Sequence, residues 1–172
     1  MLVLVECMRL SRHVAHFAST ATSGVKVLEK CIDTFQELKL GKTLKYIIYK
    51  VSDDLKSIEV VKQSDDADYD NFLTELPTDD CRWAIYDFAF KTSDGGDRNK
   101  IVFYSWYVQS FSSLTRDDRN EMAPDNAKVK SKMLYSSSKE ALRKALNGIA
   151  VEIQGTDFDE VSHDTVLEKV RR

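Results

Sequence analysis

Residue types able to do covalent or metal chemistry are few in this chain, and their spacing does not assemble a reaction. His13 and His16 have a helical metal-ligand spacing, but no partner ligands accompany them. The third histidine, His163, falls at the start of an apolar-patterned segment and reads as a surface residue. Cys7, Cys31 and Cys81 are too few and too scattered for a disulfide framework or a cysteine metal site. Cys31 and Cys81 sit inside patterned segments and are expected as small core residues. Gly95-Gly96 is followed by Asp97-Arg98 and not by the Lys-Ser or Lys-Thr of a phosphate-cradling loop, so it reads as a turn. The acidic pairs Asp53-Asp54, Asp65-Asp66 and Asp79-Asp80 fall at turns or helix starts, where carboxylates cap and solvate. A general acid and base must instead face one another across a cleft. The expectation is a binding module and not an enzyme, with no metal and no cofactor.

With 172 residues, one domain is expected. Hydrophobic residues at 42% and charged residues at 31% give a composition able to bury a core. No apolar run approaches the roughly 20 residues of a membrane span. The formal net charge of -3 hides a strong asymmetry. Lys50 to Asp87 carries 11 acidic and 4 basic residues, whereas Arg98 to Ala145 carries 10 basic and 5 acidic. The basic half concentrates Lys128, Lys130, Lys132, Lys139, Arg143 and Lys144 on or near one helix, beside Met133. Periodicity alone reads this row as a solvated helix face. Its charge also suits an acidic protein, an anionic lipid head group or nucleic acid, the last disfavoured by the negative net charge and the lack of a binding motif.

The hydrophobic pattern supplies the frame. Val25 to Leu40 repeats apolar residues at three and four and predicts a helix, ended by Gly41. Tyr46 to Val51 and Ser57 to Lys62 are strands around an Asp53-Asp54 turn. Asp68 to Leu76 is a short helix. Trp83 to Phe90 and Ile101 to Trp106 form a hairpin, with Trp83, Ile85 and Phe88 suggested on one buried face of a strand covered on both sides. Lys128 to Asn147 is the strongest helix, stopped by Asn147-Gly148 and weakened in the middle by Ser136 to Ser138. Val151 to Ile153 is a further strand, and Asp159 to Val170 a last helix, which Ser162 could cap. The order predicts a mixed sheet of about five strands flanked by helices on both faces, an α/β (α+β) fold.

Two long segments, KSKMLYSSSKEALRKALNGI (Lys130 to Ile149) and VEIQGTDFDEVSHDTVLEKV (Val151 to Val170), resemble the actin-depolymerising factor and cofilin family, its fungal members in particular. SGVKV at Ser23, FQELKLGK at Phe35, CRWAIYDFAF at Cys81 and RNKIVFYSW at Arg98 match in the same order. The resemblance spans Ser23 to Arg172 except Tyr107 to Met122. It implies a single actin-depolymerising-factor homology domain over residues 23–172. It also implies a protein that binds actin monomers and filaments, prefers ADP-actin, and severs and depolymerises filaments without bond chemistry. A non-severing cytoskeletal regulator of the same fold, or a phosphoinositide-binding module, is the alternative.

By resemblance, the monomer and filament contact comprises Ser23, Gly24 and Val25 with Lys130, Lys132, Met133, Lys139, Arg143, Lys144, Glu168 and Lys169. Lys130 and Lys132 would pair with acidic actin groups while Met133 packs in a cleft between actin subdomains. Lys144 stands where yeast relatives carry arginine, which changes the available hydrogen-bond geometry. The filament-specific surface would be Arg98, Lys100, Arg171 and Arg172. Ser23 matches a serine whose phosphorylation adds negative charge beside a surface meant for an acidic partner. The implied partners are actin and phosphoinositides, with no nucleic acid and no transmembrane segment. The implied state is monomeric, in the cytoplasm and actin cytoskeleton, with nuclear entry allowed.

Two segments depart from the family pattern. Residues 1–22 precede the matching start and read as an extension, disordered or a mis-assigned start, with a targeting segment or an added structural element as alternatives. Residues 107–122 read as an atypical insertion ahead of the basic helix, an exposed loop or a disordered stretch, with translated intron sequence as the alternative to a real loop at a tolerant site.

Overall fold

The structure is a computed structural model and describes residues 25–41, 43–92, 95–107 and 125–172. The extension at 1–22, including His13 and His16, lies outside the described residues, as do Ser23, Gly24 and 108–122 of the insertion.

Six strands form one mixed sheet: β1 Lys26–Val27, β2 Tyr46–Val51, β3 Ser57–Ser64, β4 Arg82–Lys91, β5 Asp97–Trp106 and β6 Val151–Gly155. Their spatial order is β1-β3-β2-β4-β5-β6. The helices are α1 Glu29–Gln36, α2 Tyr69–Thr74, α3 Asp125–Ala145 and α4 His163–Arg171. A single π turn, Glu37–Gly41, extends α1, and a 3-10 turn, Phe158–Val161, leads toward α4. Parallel pairing occurs at β1–β3 and β5–β6, with antiparallel pairing between the other neighbours.

Period-two alternation on the central strands divides the core between the two sheet faces. Trp83, Ile85 and Phe103 join Cys31, Phe35 and Leu38 from the first helical segment, Tyr135 and Leu142 from α3, and Leu146 just after it. Ala84, Tyr86, Phe88, Val102 and Tyr104 join Phe72 of α2 and Val166 and Val170 of α4 on the other face. Phe88 therefore faces away from Trp83 and Ile85, correcting the expected grouping, because even and odd positions of one strand point to opposite faces. Cys31 and Cys81 are buried as expected. Burial pushes the Cys31 thiol up to about 11, which removes it as a nucleophile near neutral pH.

β1, the strand beyond the five expected, takes residues expected to open the first helix. The Lys26 amide donates to the Lys56 carbonyl at 2.8 Å and the Leu28 amide to Ile58 at 3.3 Å. The open edge of β3 therefore captures Val25 to Leu28 before the helix starts. Elsewhere local signals set the boundaries. Asp68 caps α2 by accepting from the Asp70 amide at 3.0 Å. Gly148, at φ +120, follows α3 in a conformation that side chains resist. The Lys39 ammonium donates to the Asn147 carbonyl at 2.8 Å just beyond that helix. Ser137 satisfies its hydroxyl by donating back to the Leu134 carbonyl, and Ser138 is buried, so packing carries the serine-rich turn.

Candidate functional site

The basic helix α3 is held from beneath by Tyr135. Its ring packs on Trp83 with centroids 4.4 Å apart, and its hydroxyl accepts from the Val51 amide at 3.0 Å. Leu142 and Leu146 continue the buried stripe. This anchoring directs Met133 outward, where it is 66% exposed, an unusual position for a large apolar side chain with charged neighbours. Lys130 is exposed beside it, and Lys132 is half-buried. Val129 is also exposed one turn earlier. Neither Lys130 nor Lys132 has an ion-pair partner among the described residues. The start of α3 therefore presents positive charge around an uncovered methionine.

Farther along the same helix the cations are engaged. The Lys139 ammonium donates to Glu152 of β6 at 2.6 Å, and Arg143 Nε lies 3.0 Å from the other oxygen of that carboxylate. The hydrogen bond raises the ammonium pKa of Lys139. Lys144 stays exposed. Sequence reasoning passed over Glu152. Its signal was the alternation of β6: Val151 and Ile153 pack toward α4, so Glu152 projects to the α3 side, opposite a basic pair four residues apart. Val25, expected in the contact surface, is instead buried at 1% with the α1 core, and so anchors its segment.

A second cluster forms at the far end of β5. Arg98 and Lys100 share the strand face turned toward α4. Lys100 reaches the end of that helix and donates to the Val170 carbonyl at 2.6 Å. Its ammonium also stands 5.7 Å over the Phe90 ring. Arg171 follows Val170 and lines an open cleft with Phe90, Lys91 and Thr92. Sequence reasoning named Arg98, Lys100, Arg171 and Arg172, and the structure brings Lys100 and the Arg171 segment together. It omitted Lys91, whose neighbours in the chain carry no distinctive pattern. Glu168 and Lys169 are exposed on α4. The charge asymmetry read from the sequence thus falls on two basic groups, one at the start of α3 and one at the β5–α4 junction.

Among the described residues no cluster of three or more metal-ligating side chains occurs. No helix among them is long and apolar enough to cross a membrane.

Comparison with known proteins converges on one family. A family profile described as cofilin/tropomyosin-type actin-binding protein matches residues 24–116 and 121–171. A cofilin of Mycosarcoma maydis is 54% identical over 151 residues, covering 88% of this chain and 97% of that one. A cofilin of Schizosaccharomyces pombe is 51% identical over 150 residues, covering 87% and 97%. The crystal structure of a Streptomyces griseoflavus cofilin superposes with a TM-score of 0.69 at 51% identity, covering 85% of this chain and 96% of that one. The chain accordingly belongs to the cofilin/tropomyosin-type family of actin-binding proteins, a binding family and not an enzyme family.

Proposed function

We propose that this protein binds actin monomers and the sides of actin filaments, prefers ADP-actin, and severs and depolymerises filaments to promote actin turnover. The observation that carries the reading is the uncovered Met133 flanked by Lys130 and Lys132 on a helix whose opposite face is locked into the core. Positive charge steers the surface toward acidic actin groups, and burial of the methionine adds about 1.5–3 kcal/mol. By the same reading Ser23 and Gly24, which lie outside the described residues, belong to the actin-contact set. Phosphorylation of Ser23 would place negative charge where an acidic partner must dock, and weaken binding.

The group of Arg98, Lys100, Arg171 and Arg172 serves as the second, filament-specific surface. A protein that engages two neighbouring filament subunits through two surfaces binds best to one relative orientation of those subunits. It therefore shifts the filament toward that twist by its differential affinity, and the strained boundary with bare filament breaks. Phosphoinositide head groups suit the same cations and would compete with actin by occupancy. The protein acts as a monomer in the cytoplasm at the actin cytoskeleton, with access to the nucleus.

The test combines filament pelleting, monomer binding and imaging of single filaments. Wild-type protein should pellet with filaments, bind monomers and cut filaments. The Arg98→Ala/Lys100→Ala variant should lose about tenfold in filament affinity while monomer affinity stays within about twofold. Equal losses on both forms, with folding intact, would reject the division into two surfaces. Filament binding by the wild type without cutting would reject severing and leave a non-severing regulator.

A further inference from the structure

The β5–α4 junction contains a detail beyond the two-surface reading, and the inference rests on that reading. Phe90, Lys91, Thr92 and Arg171 line an open cleft of about 410 Å³. Phe90, 8% exposed, lines it together with the exposed cations Lys91 and Arg171. Neither cation has an ion-pair partner among the described residues. Lys100 is arranged differently. It is half-buried, its ammonium is committed to the Val170 carbonyl in the last turn of α4, and it sits over the Phe90 ring. Such a contact satisfies an orphan carbonyl at a helix C-terminus and places positive charge at the negative end of the helix dipole. The carbonyl it holds is the one immediately before Arg171 in the chain.

We infer that the cleft between Lys91 and Arg171 receives a carboxylate-bearing segment of the filament partner, and that Lys100 builds this cleft without touching the partner. Lys91 is a contact residue of the filament surface. Lys100 is a positioning residue acting through Arg171. The chemistry favours a protein carboxylate because two cations in a cleft that an aromatic residue also lines match an acidic side chain with an apolar stem.

Filament pelleting and monomer binding are measured for Lys91→Glu, Arg98→Ala, Lys100→Met, Arg171→Ala and the double variant Lys100→Met/Arg171→Ala. Lys91→Glu is expected to lower filament affinity about tenfold with monomer affinity unchanged, since it sets like charge against the partner. If Lys100 acts through Arg171, the double variant loses no more than the worse single variant. Additive losses would make Lys100 a direct contact and overturn its positioning role. Full filament affinity in Lys91→Glu overturns the cleft, provided Arg98→Ala is weakened. If Arg98→Ala is also unaffected, the filament surface itself is wrong. Vesicles containing phosphatidylinositol bisphosphate supply the remaining arm: loss of vesicle binding by Lys91→Glu with filament affinity intact would make the cleft a head-group site and refute the proposal.

Discussion

Replacing Lys130 and Lys132 together with alanine is expected to weaken binding to both actin monomers and filaments by about 2–4 kcal/mol, roughly a hundredfold. Both residues lie on the first half of α3, where Lys130 is exposed and neither lysine is tied to an acid among the described residues. Their charges are therefore available to a partner, unlike those of Lys139 and Arg143, which Glu152 already holds. Removing them leaves the buried stripe of Tyr135, Leu142 and Leu146 untouched, so the circular dichroism spectrum and unfolding midpoint should match wild type. Retained tight binding by a folded double variant would reject this face as the contact.

The second large effect is on stability. Tyr135→Ala should cost about 3–5 kcal/mol, because it opens a cavity against Trp83. It also strips the acceptor from the buried Val51 amide, which adds about 1–3 kcal/mol where no water replaces it. Domain stabilities lie around 5–15 kcal/mol, so much of the total is at stake. Tyr135→Phe separates the two contributions: it keeps the ring and loses the bond, and should cost about 1–3 kcal/mol. Urea unfolding reads both as a shift of midpoint at constant slope. A Tyr135→Phe variant as stable as wild type would show that the Tyr135–Val51 bond contributes nothing. The pair also bears on function, because Tyr135 sets the rotation of α3 two residues from Met133.

Long periodic segments were legible before any coordinates. The apolar positions Met133, Leu134, Ala141, Leu142, Ala145 and Leu146 repeat often enough to define a helix, but they include the exposed Met133 and omit the buried Tyr135, so periodicity alone does not fix the side it buries. The hairpin from Trp83 to Trp106 shows aromatic residues on both faces, which foretold a central, doubly covered strand. β1 was hidden because two residues carry no period, and its existence depends on the edge of β3, some thirty residues away. The same nonlocality concealed Glu152. The alternation of β6 gives the face it projects from, but only the packing of β6 beneath α3 brings it to Lys139 and Arg143. For Lys100 the sequence indicated a cation at the hairpin but not its commitment to the end of α4. Charge location was legible from residue type, whereas charge availability required the fold.

The most direct test of the central claim is hydroxyl-radical footprinting of Met133, whose exposed thioether reports contact at the centre of the proposed surface. The protein is labelled alone and in an isolated one-to-one complex with ADP-actin monomer, and Met133 oxidation is quantified by mass spectrometry. A contact through α3 predicts that oxidation falls by about tenfold or more as the side chain loses solvent. Met133 oxidised equally fast in the complex, or no isolable complex at all, would contradict it.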